Sequence, residues 1–139
     1  LNSKYLKNIN IEDLENSYST GISKNFWEII RSNVGTVDEA IEWNNLIKNE
    51  FNLTNRIPLE KNLKGVIKEC MPVDIKDNFW EVWTTEILKK FSIKPKQLFV
   101  TLRLILTGKK FGPSMNDLLT LMKKDEIMRR VEFNCEEEN

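Results

Sequence analysis

The stretch from Pro95 to Gly108 constrains the fold more than any other part of the sequence. Leu98, Phe99, Val100, Leu102, Leu104, Ile105 and Leu106 point almost all round a helical axis, which predicts a central helix covered on several sides. Pro95 suits the first turn of that helix, and Thr107-Gly108 is a helix stop with glycine beyond it. Such a helix needs neighbours, and the remaining sequence supplies them at the same period. Phe26, Trp27, Ile29 and Ile30 share a broad face over about 24–32, and a short helix is also readable over 9–16. Thr36 with Glu39 forms a capping box for a helix reaching about Asn49. Leu63, Val66 and Ile67 repeat over 59–69, although Gly65 weakens that helix. Asn78 with Glu81 opens a segment carrying Phe79, Val82, Trp83 and Ile87. Ser114 with Asp117, or Gly112-Pro113 one turn earlier, starts another, and a last helix is predicted over about 125–133.

No segment alternates strongly at period two and no internal repeat is present, so the expected fold is all-α. We expect a bundle of about seven short helices in two small subdomains. Residues 1–20, polar and rich in asparagine, read as a linker; 21–71 form a first helical subdomain and 72–139 a second. The chain has 139 residues, no apolar run near the length of a membrane span and no basic-then-apolar leader. Its first residue is not methionine and its start is abruptly polar, which predicts a piece of a longer protein.

Composition removes several chemistries. The chain has no histidine, which excludes His-based acid–base catalysis, His–metal sites and Ser-His-Asp catalysis. Cys70 and Cys135 stand far apart and form no CxxC pair, so they read as two unpaired thiols. Acidic neighbours such as Glu12/Asp13 and Asp38/Glu39 fall at helix starts, where they complement the helix dipole. No phosphate-loop pattern surrounds Gly108-Lys109. An independent small hydrolase is therefore not expected.

Twenty-one basic and 21 acidic residues cancel overall, but their distribution is uneven. Lys89, Lys90, Lys94, Lys96, Arg103, Lys109 and Lys110 occur in a stretch without one acidic residue. Such a cationic edge suits a phosphate backbone, with Lys94, Lys96, Lys109 and Lys110 as its contacts; a solvated helical face is the plainer explanation. Arg103 differs, because apolar neighbours along its helix would hold its stem and fix the planar fork for a base edge or a phosphate. The competing role for Arg103 is a bridge to Asp117 or Glu86 inside the bundle. Phe111, between basic residues and a proline, is a candidate for stacking on an unpaired base. Trp27, Trp43, Trp80 and Trp83 fall at helical spacing and read mainly as core.

The run Lys96-Gln97-Leu98-Phe99-Val100-Thr101-Leu102-Arg103-Leu104-Ile105-Leu106-Thr107-Gly108, followed by Gly112-Pro113, resembles the C-terminal part of bacterial glutamyl-tRNA synthetases. Lys124–Arg130 is similar to that family's closing segment, and Leu1–Leu6 to the join with its catalytic body. The similarity is strongest over the last 45 residues and moderate at both ends of Trp27–Glu42. It implies a class I synthetase anticodon-binding domain, cytoplasmic, that grips the anticodon loop of tRNA(Glu) and belongs to an ATP-dependent glutamate–tRNA ligase. The resemblance makes Arg103 the arginine that contacts an anticodon base. Gly112, Pro113, Ser114, Met115 and Asn116 become the loop and helix start enclosing the bases. Asn33 falls where members strict for tRNA(Glu) tend to carry arginine, which implies acceptance of tRNA(Gln) as well. No catalytic residue or metal site is implied here; ATP and Mg would belong to the catalytic body, and neither DNA nor a membrane is implied as a partner. The alternative, from composition alone, is a helical protein–protein interaction module that holds a partner helix.

Overall fold

In a computed structural model, the structure describes residues 9–18, 21–48, 56–74 and 78–136. Leu1–Leu6, Ser19, Thr20, Asn49, 52–55 and Glu137–Glu138, on which some of the expectations above fall, lie outside the described residues. Among the described residues the secondary structure is entirely helical. In chain order the helices are α1 (Ile11–Tyr18), α2 (Lys24–Ile30), α3 (Val37–Ile47), α4 (Lys61–Glu69), α5 (Phe79–Lys90), α6 (Pro95–Thr107), α7 (Met115–Leu121) and α8 (Lys124–Cys135). By internal contacts the chain divides into two compact units, Leu1–Phe51 and Asn52–Asn139. The sequence pattern predicts a boundary near 71–72. The difference arises because α4 packs against α8 and α5, so its apolar stripe belongs to the second unit.

The first unit is built on α2, which packs against α1 and α3. Ile9, Leu14, Phe26, Trp27, Ile30, Ala40 and Trp43 are buried in it, so part of the expected linker supplies core. The indole Nε1 of Trp27 donates to Ile9 O at 2.8 Å and Arg31 Nη1 donates to the same oxygen at 3.0 Å. Side chains cap each helix start: Asn10 Oδ1 accepts from Asp13 N, Ser23 Oγ from Phe26 N, and Thr36 Oγ1 from Glu39 N. The returning arm of the Thr36 box is displaced by one residue, since Glu39 Oε2 accepts from Gly35 N at 2.9 Å.

In the second unit, α8 packs against α4 and α6, while α5 packs against α4, α6 and α7. Trp83 and Leu102 are fully buried, and Trp83 Nε1 donates to Ile67 O at 3.0 Å, tying α5 to α4. Trp27 and Trp43 are thus buried in the first unit and Trp83 in the second, as their spacing predicted, with Trp80 half-buried. Helix α6 is less enclosed than its all-round apolarity suggested. Leu98, Leu102, Ile105 and Leu106 are buried, but Phe99 is 37% exposed, with its ring 5.9 Å from that of Trp80. The Asn78 box does not form: Asn78 sits at φ −102°, ψ 18°, outside the extended backbone of a capping residue, and its side chain caps nothing. Ser114 likewise precedes α7 without a side-chain cap. Cys70 and Cys135 are free and buried, and burial pushes the Cys135 thiol up to about 11.

Gly65 lies exposed inside α4, and a Cβ built there would meet nothing within 4 Å. Gly65→Ala is expected to raise stability by about 0.5–1 kcal/mol, through helix propensity and a less free unfolded chain. Urea unfolding measures it, and an unchanged or lowered midpoint would contradict the account.

Candidate nucleic-acid interface

Helix α6 delivers Arg103 and the turn that follows it. The helix stops at Gly108, whose left-handed backbone (φ 72°, ψ 4°) is one that glycine adopts without penalty. Thr107 is buried; its hydroxyl donates to Arg103 O at 2.8 Å and accepts from Lys109 N at 3.1 Å, fixing the exit of the chain. The chain then passes through Lys110, Phe111 and Gly112, all exposed, to the buried Pro113 and the start of α7. Phe111 is 83% exposed, a large aromatic ring held in solvent at the tip of the turn.

Arg103 reaches back to this turn. Its Nη2 donates to Pro113 O at 2.7 Å, with Gly112 O at 3.4 Å. Its Nη1 is buried and has no hydrogen-bond partner, and burial lowers the pKa of the guanidinium from its ordinary value. An orphaned buried donor generally costs about 1–3 kcal/mol, so this position gives up stability. Asp117 and Glu86, the acidic partners considered for Arg103, make no ion pair with it. Arg103 is thus directed at main-chain carbonyls of the turn.

The other residues singled out are less concentrated than their sequence clustering suggested. Gly112, Ser114 and Asn116 are exposed along the turn and helix start, whereas Met115 and Pro113 are buried and anchor it. Lys109 is half-buried and Lys110 exposed beside Phe111. Lys94 and Lys96 are exposed at the opposite end of α6, roughly 20 Å away by helical rise. Lys89 pairs with Glu86 at 3.2 Å and Lys90 with Glu69 at 2.9 Å. The expected single cationic edge is therefore two separate groups. Asn33 lies in the other unit, exposed after α2, where its Nδ2 reaches Ile29 O at 3.5 Å.

Sequence reasoning missed what holds the end of α6. Arg130 is fully buried: its Nη1 donates to Leu106 O at 2.7 Å and its Nε to Glu126 Oε1 at 2.8 Å. Glu126 is also buried and is gripped from outside by Arg129. A carbonyl in the last turn of α6 is thereby satisfied one residue before the buried Thr107. The available signal was the run Glu126, Arg130 and Asn134 at a spacing of four, beside the apolar run Ile127, Val131 and Cys135. The two runs form adjacent rows of one inward face.

Together, these features define an all-α module bearing an arginine-braced turn with an aromatic tip. The family model for the anticodon binding domain matches residues 28–134, and the chain belongs to that family. It is 35% identical over 127 residues to glutamate–tRNA ligase 2 of Bartonella tribocorum, covering 91% of this chain and 26% of that protein. It is 31% identical over 136 residues to glutamate–tRNA ligase 2 of Rickettsia canadensis, covering 94% of this chain and 30% of that protein. Glutamate–tRNA ligase 1 of a Wolbachia from Brugia malayi is 33% identical over 134 residues, with 94% and 30% covered. The chain thus spans between a quarter and a third of the length of these relatives.

Proposed function

We propose that this chain reads the anticodon of a glutamate tRNA as part of a glutamate–tRNA ligase. The observation that carries the reading is the exposed Phe111 on a braced Gly-Pro turn, in a chain of the anticodon-binding domain family. Unpaired anticodon bases offer stacking faces and edges, and Phe111, Ser114 and Asn116 offer a ring and polar groups to meet them. Lys110 and Lys109 beside the turn suit the anticodon-loop backbone, and Lys94 and Lys96 suit phosphates further along the stem. Such contacts, remote from the reacting atoms, orient the acceptor end and add discrimination.

ATP and Mg supply amino-acid activation in such ligases. That chemistry belongs in a catalytic body, and this chain's part is recognition. Among the described residues no helix is long and apolar enough to cross a membrane. Asn33 in place of an arginine extends the partners to tRNA(Gln), because asparagine lacks the charged fork that would select the last anticodon base.

Anticodon stem-loops of tRNA(Glu) titrated onto the chain at two salt concentrations test the proposal. Phe111→Ala should weaken binding by about 1–3 kcal/mol, and Lys110→Ala should flatten the salt dependence while leaving base preference intact. Asn33→Arg should raise preference for C over G at the third anticodon base. Binding that ignores Phe111 and the anticodon sequence would contradict the reading. The interaction-module alternative keeps one observation, a groove of about 220 Å³ whose apolar lining, Met71, Pro72, Val73, Met128 and Val131, is flanked by charged residues such as Lys68 and Glu132. It would gain if that groove, and not the turn, governed binding.

A further inference from the structure

The geometry around the turn points to a different division of labour from the one that the sequence suggested. We propose that Arg103 is a positioning residue, which sets the main chain of Gly112–Pro113 and through it the presentation of Phe111, Ser114 and Asn116. This deepens the anticodon reading and rests on it.

A guanidinium reads a base edge or a phosphate bidentately by offering two adjacent N–H groups. In this structure Nη2 is engaged by Pro113 O at 2.7 Å, with Gly112 O at 3.4 Å, and Nη1 is buried. The Nη1–Nη2 pair has no open side, and a pair made with Nε would still draw on the engaged Nη2. The carbonyls that Arg103 holds lie in the middle of the exposed groups. Phe111 directly precedes Gly112, and Ser114 directly follows Pro113. Glycine at 112 leaves the main chain free to adopt many conformations, so a charged donor on its carbonyl side limits the directions that the Phe111 ring takes. The helix beneath is fixed in turn, because Thr107 binds Arg103 O and Arg130 binds Leu106 O. Rigidity passes from the buried end of α6, through one side chain, to an exposed ring. The orphaned Nη1 is intelligible on this basis: the fork is oriented for the turn, and its other nitrogen is left against the core.

The test uses Arg103→Ala, Arg103→Lys, Phe111→Ala and the Arg103→Ala/Phe111→Ala double variant of the 139-residue chain. Backbone 15N relaxation at Phe111, Gly112 and Ser114 is read without RNA. Affinity is then read for the tRNA(Glu) anticodon stem-loop and for versions with each anticodon base changed in turn. In Arg103→Ala the order parameters at the turn should fall from about 0.85 to below about 0.6. Affinity should drop on the order of tenfold for every stem-loop alike. Arg103→Lys, which keeps one donor and the charge, should recover part of both. The double variant should lose less than the product of the single losses, because the arginine acts through the ring. A turn whose order parameters ignore Arg103 overturns the proposal. So does a loss confined to one anticodon position, which would make the arginine a base reader. If the unaltered chain does not hold the stem-loop, the anticodon reading fails, and the relaxation measurement still decides whether Arg103 braces the turn.

Discussion

Replacing Arg130 by alanine is expected to lower the unfolding free energy by about 3–5 kcal/mol, the range for breaking a buried ion pair by removing one partner. The guanidinium is wholly buried and joins two elements, donating to Glu126 within α8 and to Leu106 O at the end of α6. Its removal leaves a carbonyl without its donor and a buried carboxylate held from one side only. Arg129, which grips the same carboxylate from a half-exposed position, should cost less than about 1 kcal/mol when replaced by alanine. The acid limb of stability carries a second signature. Burial alone would raise the Glu126 pKa, but the bonds from Arg129 and Arg130 outweigh it and hold the carboxyl below its ordinary 4.5. The stabilisation from this carboxylate is therefore complete above about pH 4.5 and is lost as the pH falls through the lowered folded value. The gap between the unaltered chain and Arg130→Ala should be widest near neutrality and narrow in acid. Replacing both partners with apolar residues, Glu126→Leu with Arg130→Met, should recover much of the loss. Urea unfolding across pH measures all of this, and a gap below 1 kcal/mol at neutral pH would mean that the pair is solvated.

The helices were legible where one physical signal dominated. Apolar residues at spacings of three and four marked α2 to α8, Pro95 and Gly108 marked the two ends of α6, and Thr36 marked the start of α3. Legibility failed where two signals compete for one side chain. Glu126 and Arg130 at i and i+4 are what a solvated helical face carries, and only the facing α6 carbonyl turns the pair inward. Asn78 and Glu81 carry the letters of a capping box, but the main chain at Asn78 is not extended. The candidate site divides in the same way. Phe111 could be singled out as a candidate for exposure by its glycine, proline and lysine neighbours, and the structure places it in solvent. The direction of the Arg103 fork could not, since several rotatable bonds separate it from the helix and its partners are main-chain atoms with no sequence signature. The spread of Lys94 and Lys96 away from Lys109 and Lys110 follows from helical rise, which turns a compact stretch of sequence into two ends of a rod.

Trp83→Ala should be comparably destructive to the second unit, at about 3–5 kcal/mol. The indole is wholly buried, meets the ring of Phe79 edge-on at 5.7 Å and that of Trp80 at 6.4 Å, and donates to Ile67 O. The informative variant is Trp83→Phe, which keeps most of the apolar volume and deletes the donor. It should cost about 1–3 kcal/mol, since Ile67 O loses its indole partner at a buried crossing of α4 and α5. The first unit contains the same device with one difference. Trp27 is equally buried and donates to Ile9 O, but Arg31 Nη1 reaches that oxygen too. Trp27→Phe should therefore cost less than Trp83→Phe, and Trp27→Phe combined with Arg31→Ala should cost more than the two single losses added. Urea unfolding of the four variants settles the comparison. Equal losses for the two Trp→Phe changes would show that packing, and not the number of donors at the shared carbonyl, sets the strength of these joints.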